Sequence, residues 1–560
     1  MKSIIWSRKS NFLLLLLVIV SISACKKSKV EPEPAPTVVP QNLGQNTKQT
    51  PTTDRTYLTN DSLFLYAQQI YFWNDALPDY DTFDPRKYKT SPDITGYNQE
   101  LFDITRFKIN PSTGKPYEYN SSNPASTRYS YINDILSNNP QPLASNPGAE
   151  AAVDLAGNGN DIGIRAVFYL TSNAAPRPYL LFVTAVYPGS PADKAGVKRG
   201  WVIKTVNGSS IGASYDGESA GVLASMNATS VTLTGNNYAD NAPFNVTLNK
   251  ASYKSSPVYA STVIAKSGRK IGYLSYARFS ALTNFDTPSD LSLDPVFADF
   301  SAQGVTDLII DLRYNGGGYV ESATYLANLI APSSLTGKKM YTEIYNSTMQ
   351  SGKATILSHQ PLLDAAGKIR YRSNGVMLTY ADLDYSTTAA VNNTYFSKKG
   401  SVNGINNVVF IVSGSTASAS ELLINSLKPY LNVKLVGTTT YGKPVGFFPI
   451  VLQNRYEVYM SLFETRNSNN EGGYYSGMVP DVISTNDTPT YSFGDERDSY
   501  TALALNLLVP GSAAVGSNKI SSVDAGGVTT QSVPFNSTNF RPLDPNSEFI
   551  GMIETRKGLK

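Results

Sequence analysis

One cysteine and one histidine are all that the 560 residues hold of either type. The cysteine, Cys25, has no second thiol to pair with, so no internal disulfide supports the fold. One Cys and one His cannot build a zinc site of the usual nitrogen and sulfur kind, and the acidic residues are scattered. Neither a metal nor another cofactor is expected. Charge of one sign is also missing. The net charge is +3, with no long basic run and no motif of a nucleic-acid reader, which argues against a nucleic-acid partner. Histidine chemistry would rest on His359 alone, in the helical-looking stretch "ATILSHQPLL", where a single His is more often structural than catalytic.

The rest is ordinary globular composition, 41% hydrophobic and 16% charged, over a length that allows roughly three domains. The start is different. In "MKSIIWSRKSNFLLLLLVIVSISAC", Lys2, Arg8 and Lys9 form a positive region, Phe12–Ile22 an apolar one, and Ser23-Ala24 a small-residue site before Cys25. This is the pattern of a secretory signal. An uncleaved anchor is the alternative, but a spanning helix needs about 20 apolar residues and this run is short. "ISAC" resembles the lipobox of bacterial lipoproteins, which implies that residues 1–24 are a lipoprotein signal peptide and that Cys25 is lipidated. Several acyl chains on one residue anchor stably, at about 0.8 kcal/mol per buried methylene. The expectation is a protein of the cell envelope of a Gram-negative bacterium, held to a membrane through Cys25, periplasmic or surface-facing.

Residues 25–55 are rich in Pro, Gln and Thr and read as an extended linker. A small helical domain is expected over 56–150. In it Leu63, Tyr66, Ile70 and Trp73 recur at helical spacing, with Asn60 or Asp61 as cap and Pro78 as stop, and a second helix is expected over Arg128–Ser137. Strand-like runs follow, "DIGIRAVFYL" and "YLLFVTAVY". In "PGSPADKAGVKRGWVIKTVNGSSI", Pro191 opens a short helix, Gly196 ends it, and Asn207-Gly208 makes a tight turn. From Lys270 apolar strands alternate with amphipathic helices, which predicts an α/β core with helices packed on a largely parallel sheet. "FFPIVLQNRYEVYMSLFETRN" reads as a hairpin turning at Gln453–Arg455, and Asp498–Leu508 as a late helix.

Three stretches of this core carry chemistry. In "VVFIVSGSTASASELL" a buried strand meets a Gly/Ser turn and then a helix. Ser418 and Glu421 have capping-box spacing, and the same geometry would aim a hydroxyl outward beside helix N–H groups that can hold an oxyanion. A serine nucleophile needs a base. His359 is one option; the other is a lysine whose pKa is lowered by desolvation. Lys443, in "VGTTTYGKPVG", follows the next strand, so strand–Ser–helix–strand–Lys is one βαβ unit with both groups at the same sheet edge. In "LIIDLRYNGGGYVESA" the glycines let backbone N–H groups approach a ligand, as an oxyanion hole or as a phosphate loop, although the "GK[ST]" ending is missing.

Taken in order, these motifs carry a resemblance. "V…PGSPADKAGVKRGWVIKTVNG" resembles the PDZ domain of bacterial proteases over about Asp161–Asn249. That implies a groove in which a peptide tail adds as a β-strand, with the loop at Gly163 and Ile164 holding its carboxylate. "DLRYNGGG", "VSGSTASASELL", "TTYGKPVG" and "GYYSGMVPD" (Gly473–Asp481) then resemble the carboxyl-terminal processing, or tail-specific, protease family. The resemblance implies a crotonase-like (ClpP-like) α/β protease core at 266–510, a PDZ-like domain at 160–252 and an extension at 511–560. It also implies a serine endopeptidase that cleaves exported or unfolded polypeptides through a Ser–Lys dyad. Ser418 would be the nucleophile and Lys443 the base, with the N–H groups of Ala419 and Gly317 as oxyanion donors. Many members carry Gln four residues after the lysine; here that residue is Phe447, so another group, or packing alone, must orient Lys443. The rival expectations are an inactive relative that binds peptides through its PDZ-like domain, and an acyl-CoA enzyme sharing the core, which a secretion signal disfavours because coenzyme A is cytosolic.

Overall fold

Alternation within two strands sets the centre of the molecule. In Asp307–Asp311, Leu308 and Ile310 face one side and Ile309 the other; in Asn407–Val412, Val408, Phe410 and Val412 oppose Val409 and Ile411. A strand buried on both faces needs cover on both. Val320–Ile330 and Ala419–Leu427 belong to the large core on the first face, and Ser499–Leu508, capped by Asp498, packs on the second. A computed structural model of the chain describes residues 48–136, 153–282, 290–364, 368–512, 519–523, 529–534, 536–544 and 551–553. The signal-like residues 1–24 and Cys25 lie outside them, as does most of the 25–55 linker.

The six-stranded core sheet runs Val258–Lys266, Arg269–Tyr276, Asp307–Asp311, Asn407–Val412, Asn432–Gly437 and Val482–Ile483. Its first pair is antiparallel and the rest are parallel, as the alternating pattern predicts. The expected hairpin is present too: Ile450–Leu452 pairs with Tyr456–Tyr459, and Gln453 and Asn454 both take positive φ in the turn.

An antiparallel sheet carries the PDZ-like region in the order Pro243–Asn249, Ser230–Asn237, Trp201–Val206, Tyr179–Val186, Ile164–Leu170. Asn207 (φ 52°) and Gly208 (φ 82°) make its tight turn. A further strand, Phe540–Pro542, comes from the late extension and pairs antiparallel with the Ile164–Leu170 edge. The sheet is seated on the core by charge. Arg199, buried, donates to Thr184 O within its own domain, to Tyr491 O and to Asp498 across the boundary. Arg313, also buried, holds Asp311, Asp487 and Asp498 in the same cluster.

The N-terminal region departs from expectation. Its first helix is Arg55–Ile70, capped by Asp54 rather than by Asn60 or Asp61, and it ends eight residues before Pro78. A helix at Asp93–Ile104 went unread in the sequence. The helix expected over Arg128–Ser137 is instead a strand, Tyr131–Asp134, which pairs with Tyr456–Tyr459. The aromatic and β-branched residues Tyr131 and Ile132 are both buried by this partner some 320 positions away, and tertiary pairing overrides local periodicity. The small helical domain is therefore not separate. From Pro51 onward the chain is one compact unit, and Leu63, Phe64 and Ile70 share a core with the α/β sheet. Among the described residues no helix is long and apolar enough to cross a membrane.

Candidate active site

Parallel pairing of Asn407–Val412 with Asn432–Gly437 brings the two loops that follow these strands to one edge. Ser418 ends the first loop at φ 63°, ψ −112°, a conformation a non-glycine residue adopts at a cost of about 1–3 kcal/mol. Its N–H donates to Glu421 Oε2 at 2.8 Å, the backbone arm of the capping box. The hydroxyl faces the Glu421 N–H as the second arm of that box, and Ser418 Oγ is buried with no hydrogen bond of standard geometry among the described residues. Ser420 differs: its hydroxyl donates to Asn315 O at 3.0 Å. Of these two buried serines, Ser418 is the one whose hydroxyl is not engaged by a backbone carbonyl. Ala419 opens the helix, so its N–H is one of the first four that have no intrahelical acceptor.

Glu421 also reaches the second loop. Its carboxylate accepts from Gly442 N–H and Lys443 N–H, each at 2.8 Å, and from the Thr440 hydroxyl at 2.5 Å. One buried carboxylate therefore bolts the Ser418 turn to the Lys443 turn. Burial pushes its pKa up, against the pull of these donors. Glycine is required at 442, where φ is 85° and a Cβ would lie 2.5 Å from Gly477 N and Tyr475 O. The "GYYSGMVPD" segment is what presses on the lysine turn from outside.

Lys443 is fully buried, and its Nζ has no hydrogen-bond partner among the described residues. No hydrogen bond joins it to Ser418 Oγ. Desolvation lowers its pKa to about 7; Glu118 and Glu421 pull it upward, and Arg128 adds to the lowering. Where Gln might orient the lysine, Phe447 puts its ring 4.4 Å from Nζ, and Tyr129 lies 5.7 Å away. Tyr131 and Tyr459 hold the Phe447 ring edge-on at 5.7 and 5.4 Å. The Tyr129 hydroxyl donates to Gly442 O at 2.6 Å, and the Arg128 guanidinium to Tyr441 O. Glu118 fixes this wall by accepting from Ser130 N–H at 2.9 Å and from the Ser130 hydroxyl at 2.7 Å. Sequence reasoning missed Glu118, Tyr129 and Tyr131 as parts of the site, because no local signal marks a contact made across three hundred residues.

The glycine loop lies beside Ser418. Gly317 and Gly318 take φ of 107° and 137°, and a Cβ on Gly317 would stand 2.9 Å from Ser418 Cβ. Gly317 N–H, one of the two expected oxyanion donors, is engaged by Asn315 Oδ1 at 2.9 Å. His359 is exposed on a short turn, Thr355–His359, whereas Ser418 and Lys443 are both buried. In the PDZ-like sheet, Gly163 (φ 84°) abuts Ser190, where a Cβ would meet the serine side chain at 2.0 Å, and Ile164 begins the edge strand. The expected peptide loop is therefore at the head of the edge that the late segment joins.

Residues 270–484 match the family model for peptidase family S41, and residues 182–234 match that for the PDZ domain. A CtpA-like serine protease of Staphylococcus aureus is 25% identical over 313 residues, 56% of this chain and 51% of that protein. The chain thus spans about half the length of that curated relative. A carboxyl-terminal-processing protease of Synechocystis is 24% identical over 359 residues, 64% of this chain and 71% of its own. Among solved structures, an S41 protease from Bacteroides fragilis superposes with a TM-score of 0.52 at 21% identity, covering 80% of this chain and 96% of that one. This last likeness concerns the fold alone.

Proposed function

From the matches of residues 270–484 to peptidase family S41 and of residues 182–234 to the PDZ domain, we propose that the chain is a serine endopeptidase using Ser418 and Lys443 as a dyad on exported or unfolded polypeptides, whose tails its PDZ domain recognises. One observation supports this above the others. A fully buried lysine, its pKa brought down to about 7, is tied through Glu421 to a buried serine, and among the described residues neither Lys443 Nζ nor Ser418 Oγ has a hydrogen bond of standard geometry. Near pH 7 such a lysine is substantially neutral and can take a proton.

In the proposed reaction Ser418 Oγ attacks the scissile carbonyl carbon as its proton passes to Lys443 Nζ. The tetrahedral oxyanion is met by Ala419 N–H and by Gly317 N–H once the latter turns from Asn315. A donor of this kind contributes about 2.7–4 kcal/mol to lowering the barrier. The ammonium returns the proton to the leaving amine, the C–N bond breaks, and an acyl-enzyme on Ser418 remains. Water then attacks the ester with Lys443 again as base, releasing the new carboxyl end and restoring the serine. The same proposal puts the protein on the cell envelope of a Gram-negative bacterium, tethered by lipid on Cys25.

A fluorophosphonate probe tests the dyad. Labelling and cleavage of an unfolded protein are expected from the parent chain, no labelling from Ser418→Ala, and strongly slowed labelling from Lys443→Ala. Full proteolysis by Ser418→Ala would sink the assignment. No labelling of the parent in any state would favour a peptide-binding protein without hydrolytic activity.

A further inference from the structure

A stretch of the chain far from the catalytic motifs lies against both of its peptide-binding edges. Phe540–Pro542 adds to the free edge of Ile164–Leu170 in antiparallel register, Phe540 opposite Tyr169 and Pro542 opposite Val167, and Leu543 N–H donates to Ala166 O. The direction is that of a tail running toward Gly163 and Ile164. Phe540 meets the Tyr169 ring edge-on at 5.7 Å, and Leu543 packs against the PDZ core. This is strand addition, with backbone pairing for affinity and alternate side chains for choice.

Gly551–Ile553 does the same in the other site. It runs parallel to Gly317–Tyr319, Gly551 opposite Gly317 and Ile553 opposite Tyr319, with Gly551 N–H donating to Gly316 O at 3.1 Å. On its far side Phe447 N–H donates to Met552 O at 3.4 Å, and Ile553 bridges to Phe447. The segment therefore lies between the glycine loop beside Ser418 and the strand that follows Lys443. Met552 is fully buried there and Ile553 is 3% exposed. The Gly551 carbonyl oxygen comes so close to Gly317 that a Cβ on that glycine would stand 2.4 Å from it. Around it the site is at rest: among the described residues neither Ser418 Oγ nor Lys443 Nζ has a hydrogen bond of standard geometry, and Gly317 N–H is held by Asn315.

Resting on the dyad reading above, we propose that the strands Phe540–Pro542 and Gly551–Ile553 are self-ligands, the first filling the PDZ edge and the second the cleft between Gly317–Tyr319 and Val445–Phe447, which together keep the protease latent until an incoming polypeptide displaces them. The occupant also defines what the cleft accepts: an extended segment lying parallel to Gly317–Tyr319, with large apolar side chains at the two positions held here by Met552 and Ile553.

The test uses the full chain. Met552→Asp puts a charge where an apolar side chain is buried, and Met552→Ala is a milder second variant that only shortens the side chain. Fluorophosphonate labelling of Ser418 is expected to speed up at least about tenfold in Met552→Asp and by less in Met552→Ala, since losing a buried methionine side chain weakens its seat substantially. Adding a synthetic peptide of residues 547–556 should bring both rates back down. Independently of catalysis, the same peptide with a fluorescent tag should bind the Met552→Asp chain in a Ser418→Ala background and fail to bind Ser418→Ala with Met552 intact. Equal labelling rates in all three chains, or peptide binding regardless of residue 552, overturns the self-ligand reading. If no chain is labelled, the dyad reading fails, and the binding measurement alone still decides the self-ligand reading.

Discussion

Methionine at position 443 would keep a straight side chain of similar length and discard the charge. Lys443 is fully buried and its pKa falls from 10.5 to about 7. Each pKa unit is worth about 1.4 kcal/mol, so the ammonium is costlier in the folded chain than in the unfolded one by on the order of 5 kcal/mol. Between pH 7 and 10.5 the unfolded chain keeps a proton on this lysine that the folded chain has released. Folded stability therefore rises with pH across that window, and below pH 7, where both states hold the proton, the whole penalty stands. The Phe447 and Tyr129 rings favour a desolvated cation by about 0.5–2 kcal/mol, too little to reverse the sign. Thermal unfolding of the parent and of Lys443→Met at pH 6 and pH 9 reads this directly. The variant, inactive at both, should be the more stable by on the order of 5 kcal/mol at pH 6, with the margin shrinking by roughly 3 kcal/mol at pH 9. An equal margin at the two pH values, or a variant less stable than the parent at pH 6, would refute the reasoning.

Two other substitutions probe the scaffold around the proposed dyad. Glu421→Gln turns one acceptor oxygen into a donor facing N–H groups of Ser418, Gly442 or Lys443, at a cost of about 1–3 kcal/mol for each acceptor lost. Its kcat should fall with KM little changed. Because the Glu421 charge pulls the Lys443 pKa upward, the acid limb of the pH–rate profile should also move to lower pH; an unmoved limb would reduce Glu421 to a helix cap. Arg199→Ala strips a buried cation from Asp487 and Asp498. Breaking such a pair costs about 3–5 kcal/mol, so the melting temperature should drop and limited proteolysis near 487–498 should quicken, and an unchanged melt would contradict the cluster's role in seating the PDZ sheet.

Much of this was legible because it is local. Two faces of apolar residues announced the central strands, Asn207-Gly208 and Gln453–Arg455 announced their turns, and the spacing from strand to Ser418 to strand to Lys443 announced a shared edge. Local signals failed where a distant partner decides. "RYSYINDILS" has the look of a helix until Tyr456–Tyr459 offers a strand edge. Nothing in the sequence announced the strands at 540–542 and 551–553, because they pair with edges built elsewhere in the chain. The environment of Lys443 was half visible: Phe447 could be seen to stand where an orienting amide is common, but Tyr129 and the Glu118 anchor behind it come from the other end of the chain.

That scattering has a consequence for synthesis. Chains emerge and begin to fold N-terminal end first, yet Tyr131–Asp134 waits for Tyr456–Tyr459, Arg199 for Asp487 and Asp498, and the Ser418 turn for the loop of Lys443. Until residues past 460 have appeared, the lysine has neither the pocket that discharges it nor the wall of Tyr129 and Tyr131 around it. A growing chain thus carries Ser418 before the proposed base at Lys443 has its surroundings. For a protein proposed to attack unfolded polypeptides, the first one within reach is itself, and the order of assembly withholds the chemistry until that target has folded away.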